Sequence, residues 1–89
     1  MKYGRLVATR GIAEEMESDL AFAREIVAAF GRYQRHDWGD LCQEDKALND
    51  QAVESGDRVM AAYLTSKGKI WIITEWDRSA TTVLFPSEY

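Results

Sequence analysis

The chain has 89 residues, 46% of them apolar and 29% charged, with eleven basic residues against fifteen acidic ones and a formal net charge of −4. This is the size of one domain over residues 1–89, apolar enough to fold unaided and too apolar for a disordered tail. The acidic balance argues against bulk attraction to nucleic acid or anionic membranes. No run approaches the ~18 apolar residues of a membrane span, and one cysteine excludes an internal disulfide and a thiolate metal cluster.

The opening Met1-Lys2-Tyr3-Gly4-Arg5 has no signal-peptide pattern, so a cytoplasmic protein is expected. Residues 3–9 predict a first strand, with Leu6 and Ala8 alternating with Val7 and Thr9 and Gly11 ending the run. Ile12, Met16, Leu20, Ala23, Val27 and Phe30 then recur in steps of three and four, which makes one helical stripe. Phe22, Ile26 and Tyr33 widen it. Glu14, Glu15 and Glu17 near the start and Arg32 and Arg35 near the end suit the helix dipole. Ser18-Asp19 can cap a second helix, so 12–34 reads as one helix or as a short one followed by a longer one.

Residues 35–40 read as a connection in which Asp37 or Asp40 can cap the next helix, over 40–55. Its apolar stripe, Leu41, Leu48, Ala52 and Val53, is thin, which puts the helix on the outside. Gly56 ends it in a left-handed conformation. Three strands follow. Residues 58–64 alternate, 65–68 form a short loop ending in glycine, and 69–75 are apolar on both faces and therefore central. Residues 76–79 form a polar turn, and 80–85 make the last strand, stopped by Pro86. The order β-α-α-β-β-β predicts an α+β domain with helices on one face of an antiparallel sheet. The first strand is expected beside an outer strand of the meander, since connections rarely cross.

Few residues carry recognisable chemistry. Thr74, Glu75, Asp77, Arg78, Ser79, Thr81 and Thr82 crowd an otherwise apolar hairpin, which suits either a recognition edge or a turn that fixes register. Trp38 and Trp76 sit beside loops and are the expected surface aromatics. With Asp40, Glu75, Asp77 and Arg78 they form the candidate interaction surface. His36-Asp37 and Cys42 do not make an activated nucleophile, because the acids around Cys42 disfavour a thiolate; Cys42 is expected to be a small, partly buried residue. One histidine, one cysteine and scattered carboxylates match no metal-ligand spacing, and no glycine-rich phosphate loop is present. No cofactor, metal or catalytic residue is expected. The segment 37–57 holds seven acids and one base, a net −6 that leaves the rest of the chain near +2. That is either a solvated helix face or a surface for a basic partner.

Val7-Ala8-Thr9-Arg10-Gly11, Asp37-Trp38-Gly39-Asp40-Leu41, Glu44-Asp45-Lys46 with Asn49-Asp50, and the block from Ile70 to Tyr89 (IWIITEWDRSATTVLFPSEY) together resemble one family. It comprises small bacterial proteins of plasmids and integrative elements, labelled plasmid-related protein or, in some cases, type I restriction endonuclease subunit M. The resemblance spans nearly the whole chain and is most specific in the terminal block. It implies an accessory role on a mobile element in a bacterial cytoplasm and brings no catalytic residues. The restriction label conflicts with size, since a methylating subunit needs a cofactor pocket, a base-flipping pocket and an aromatic-proline motif.

The expected function is a non-enzymatic protein-interaction or regulatory module with a protein partner. The alternatives are an anti-defence role, with the acidic segment occupying a basic groove, and nucleic-acid association through Arg32, Arg35, Lys67 and Lys69. A small enzyme ranks last. Self-association is also expected, through the apolar edge of residues 81–85 or through Trp76.

Overall fold

The computed structural model describes residues 1–89. In chain order the elements are β1 (Arg5–Ala8), α1 (Arg10–Ser18), α2 (Leu20–Gln34), α3 (Gln43–Ser55), β2 (Val59–Thr65), β3 (Gly68–Thr74) and β4 (Ala80–Leu84), followed by a 3-10 turn (Pro86–Glu88). This is the α+β class read from the sequence, with three helices in place of the two of the β-α-α-β-β-β order because residues 12–34 divide in two. The sheet order is β1-β4-β3-β2. β2, β3 and β4 form the expected antiparallel meander, with β3 inside it. β1 docks on the outer side of β4 but runs parallel to it, so the sheet is mixed rather than wholly antiparallel. The three helices between β1 and the meander return the chain to the same end of the sheet, which makes parallel entry the natural one.

Residues 12–34 hold two helices. The break falls at Asp19, whose extended backbone ends α1 and whose Oδ1 accepts the Phe22 N–H at 3.1 Å. Gly11 lies inside the first turn of α1 rather than ending the strand. α3 starts at Gln43 with Cys42, not Asp37 or Asp40, at its N-cap, and Gly56 closes it at φ 82° as expected.

The core lies between α1–α2 and one face of the sheet. Ile12, Phe22, Ile26, Ala29 and Tyr33 meet Val59, Ala61, Tyr63, Ile70, Ile72 and Val83. Each large apolar side chain removed from water contributes about 1.5–3 kcal/mol. A chain of buried hydroxyls threads this core. Thr81 Oγ1 donates to the Tyr3 carbonyl at 2.7 Å, Thr74 Oγ1 lies 2.8 Å from Thr81 Oγ1, and Tyr33 Oη lies 2.7 Å from Thr74 Oγ1. Each hydroxyl has one proton, so the donors run in one direction, from Tyr33 through Thr74 and Thr81 to Tyr3. Burial pushes the Tyr33 phenol up to about 12.

The β2–β3 turn is tied to the helices by charge. Lys67 Nζ lies 3.0 Å from Glu15 and 3.3 Å from Asp19, and Glu25 accepts the Ser66 N–H at 2.8 Å. No helix is long and apolar enough to cross a membrane.

Candidate interaction surface

The structure scatters the six residues that the sequence groups together. Trp38 is buried, 2% exposed, rather than a surface aromatic. Its ring packs edge-on against Tyr33 and is stacked by His36, and its Nε1 donates to Asp50 at 2.9 Å. The reason is that residues 38–40 fold back onto β2. The Ala62 N–H donates to the Trp38 carbonyl and the Asp40 N–H to the Ala62 carbonyl at 2.7 Å. Gly39 makes this approach at φ 76°, where a Cβ would collide with the Ala62 carbonyl oxygen. Asp40 itself is exposed, 3.6 Å from Lys69.

Glu75, Trp76, Asp77 and Arg78 lie at the other end of β3, about 20 Å away at the usual strand rise. The Arg78 guanidinium is occupied. It donates to the carbonyls of Asp57 (2.7 Å), Ala52 (2.9 Å) and Glu75 (3.1 Å), which ties the end of α3 to the β3–β4 turn. Asp77 Oδ1 accepts the Ser79 N–H, and Glu75 lies 4.0 Å from Arg58. Thr74 and Thr81, read as part of a polar recognition edge, are fully buried in the hydroxyl chain. Of the six, Trp76 alone presents a large apolar surface, 68% exposed.

Most of the other charges are also engaged. Arg32 forks onto Asp37 at 2.7 and 3.2 Å, and that hydrogen-bonded guanidinium holds the Asp37 carboxyl below its ordinary range. Lys67 and Lys69 have acid partners. Of the seven acids in 37–57, Asp37, Asp40, Asp50 and Asp57 carry internal contacts, which leaves Glu44, Asp45 and Glu54 facing solvent without one. Cys42 is exposed, not partly buried, and no hydrogen bond joins it to His36. No cluster of histidine, cysteine and carboxylate has metal-binding proximity.

The two edges of the sheet are treated differently. β2 is covered by its own chain at Met60 and Ala62, with Leu64 beyond them left exposed. Besides the 38–40 contact at Ala62, Asn49 on α3 satisfies Met60 like a neighbouring strand. Its Nδ2 donates to the Met60 carbonyl at 2.8 Å, and its Oδ1 accepts the Met60 N–H at 3.3 Å. β4, expected as the open apolar edge, is interior, with β3 on one side and β1 on the other. β1 is therefore the open edge. The N–H groups of Arg5 and Thr9 donate to Ser79 and Val83, so odd residues face β4. The N–H and C=O of Leu6 and Ala8 point away from the sheet, and no hydrogen bond within the chain takes them.

Beside that edge lies an apolar groove of about 410 Å³, bounded by Leu6 and Ala8 of β1, Met16 of α1, and Val27 and Phe30 of α2. Leu6 is 61% and Val27 69% exposed. Strand alternation puts Leu6 and Ala8 on the helix side, as partners of Thr81 and Val83. The edge is missed in the sequence because it depends on which strand β4 receives as its second neighbour. The signal present is the doubly apolar run Leu6-Val7-Ala8 in a strand too short to be shielded. No family model, curated protein or solved structure matches the chain, so its function has to be read from this geometry.

Proposed function

We propose that the chain is a non-enzymatic protein-interaction module whose binding element is the β1 edge with the apolar groove beneath it. One observation carries the reading: one sheet edge is covered at Met60 and Ala62 by Asn49 and residues 38–40, while the other presents the free backbone groups of Leu6 and Ala8 over exposed apolar side chains. Such an edge takes up an extended strand, with main-chain hydrogen bonds supplying affinity and the groove supplying selectivity. A bacterial source and a mobile-element setting are what the sequence resemblance implies.

The corner at Trp76 is a second, smaller surface, favoured by the exposure of that ring on a turn braced by Arg78. The anti-defence and nucleic-acid readings have less support, since Arg32, Lys67, Lys69 and four of the seven acids are committed within the fold.

The test is affinity capture with wild-type, Leu6→Pro and Trp76→Ala baits. The Leu6 N–H has no partner in the sheet, so proline removes the edge donor and spares the β1–β4 ladder. A partner held by wild type and lost with Leu6→Pro supports the edge. A partner lost only with Trp76→Ala moves the site to the corner, and equal capture by all three refutes both.

A further inference from the structure

We propose that the β1 edge pairs with the β1 edge of a second copy of this chain, antiparallel about a two-fold axis at Val7, so that one sheet runs through both. The proposal rests on the reading of β1 as the interaction edge and adds the identity of its occupant.

The backbone is self-complementary in this register. Leu6 and Ala8 carry the outward N–H and C=O groups, and the two-fold sets Leu6 of one copy opposite Ala8 of the other. That forms four main-chain hydrogen bonds, two at each Leu6–Ala8 pair. The side chains match as well. Leu6 and Ala8 share the helix side, so each large Leu6 lies against a small Ala8, at the mouth of the other copy's groove between Met16 and Val27.

The charges match on the opposite side of the sheet. Arg5, Val7 and Thr9 share that side, and the register sets Arg5 opposite Thr9 of the second copy. Thr9 Oγ1 donates to Glu88 Oε1 at 2.6 Å, so the Glu88 carboxylate lies where the opposing guanidinium reaches. Within one chain neither Arg5 nor Glu88 has an ion-pair partner, and both are exposed. The two-fold pairs each with the other, twice.

The assembly also closes. Met60 and Ala62 of β2 are taken up by Asn49 and residues 38–40, which leaves one outward-facing residue, Leu64, on that edge against two on β1; sheet extension therefore uses the β1 edge, and an isologous contact there stops at two copies. The contact is short, which places it among small, reversible interfaces rather than obligate ones.

Sedimentation of the full chain over a wide concentration range, beside circular dichroism of every variant, reads the proposal. Wild type is expected to pass from monomer to dimer. Leu6→Pro, folded by circular dichroism, should weaken the dimer on the order of a hundredfold, having lost two of the four hydrogen bonds and both Leu6 contacts. Arg5→Glu puts two like charges at each contact with Glu88, so it should weaken the dimer at least roughly tenfold and reverse its sensitivity to salt, added salt now favouring association. A Val7→Cys, Cys42→Ser variant should form a disulfide between copies on oxidation, because the Val7 residues meet at a non-hydrogen-bonded position with Cα atoms about 4.5 Å apart. A dimer that resists Leu6→Pro, or a Val7→Cys variant that does not cross-link, overturns the proposal. A chain that stays monomeric also overturns it, and selection from a displayed peptide library then separates the two levels. Peptides bound by wild type and not by Leu6→Pro retain the edge as the binding element with a foreign strand as occupant. No such peptides would remove the edge reading too.

Discussion

Thr74→Val tests whether the buried hydroxyl chain supports the fold. The substitution keeps the shape of the side chain and removes Oγ1, which lies 2.7 Å from Tyr33 Oη and 2.8 Å from Thr81 Oγ1. Two hydrogen bonds disappear. Thr81 keeps its donation to the Tyr3 carbonyl, but Tyr33 is left with only the Val59 carbonyl at 3.5 Å. At about 0.5–1.5 kcal/mol for each net bond, the loss is roughly 1–3 kcal/mol. In a domain of this size that lowers Tm by roughly 5–20 °C. Urea unfolding monitored by tryptophan fluorescence should show a lower midpoint with an unchanged slope. Thr74→Ser is the control. It keeps the hydroxyl and loses one buried methyl, so its cost of about 1 kcal/mol reports packing alone. In a double-mutant cycle, Tyr33→Phe and Thr74→Val should be strongly non-additive, because they remove the same bond. A Thr74→Val protein as stable as wild type would refute the chain as a source of stability.

Alkaline pH should unfold the chain early. Below pH 10 the Tyr33 phenol is neutral in both states. Above it the unfolded phenol ionises while the buried one, at about 12, keeps its proton, so stability falls between pH 10 and 12, and a pH series of urea midpoints reads this. Tyr63, raised chiefly by burial, adds to the same fall. Gly39→Ala should cost about 2 kcal/mol or more in the same unfolding assay, since it adds a clash with the Ala62 carbonyl to a positive φ. Arg78→Ala should cost about 2 kcal/mol by removing three charge-assisted bonds to carbonyls, whereas Trp76→Ala should stay within about 0.5 kcal/mol of wild type. Asn49→Ala should uncover Met60 and give light-scattering signs of assembly beyond a dimer.

Local signals made the meander legible. Residues 58–85 hold three strands joined by short turns, and each pairs with the next in sequence. The Asp19 cap and Gly56 were visible for the same reason. The buried hydroxyls were readable in principle, since Thr74 continues the core-facing alternation of Ile70 and Ile72, yet polarity drew Thr74 into the turn. Trp38 misled because its loop is a covering segment for β2. Gly39, next to it, marked the close backbone approach. Arg78 was visible as a charge, but its three acceptors come from segments remote or adjacent in sequence and converge only in the fold. The candidate site depended most on what is not local. β1 lies some seventy residues from β4, and nothing nearby in sequence says that they pair, or that Leu6 and Ala8 are left facing outward.

Amide hydrogen exchange at Leu6 and Ala8, followed as protein concentration is raised, tests the central claim most directly. The N–H groups of Arg5 and Thr9 are bonded to the carbonyls of Ser79 and Val83 and serve as internal references. The two-fold pairing predicts that Leu6 and Ala8 exchange freely in dilute solution and become protected together as the dimer fills, with Leu6→Pro abolishing the effect at Ala8. Free exchange at both positions at every concentration would contradict it.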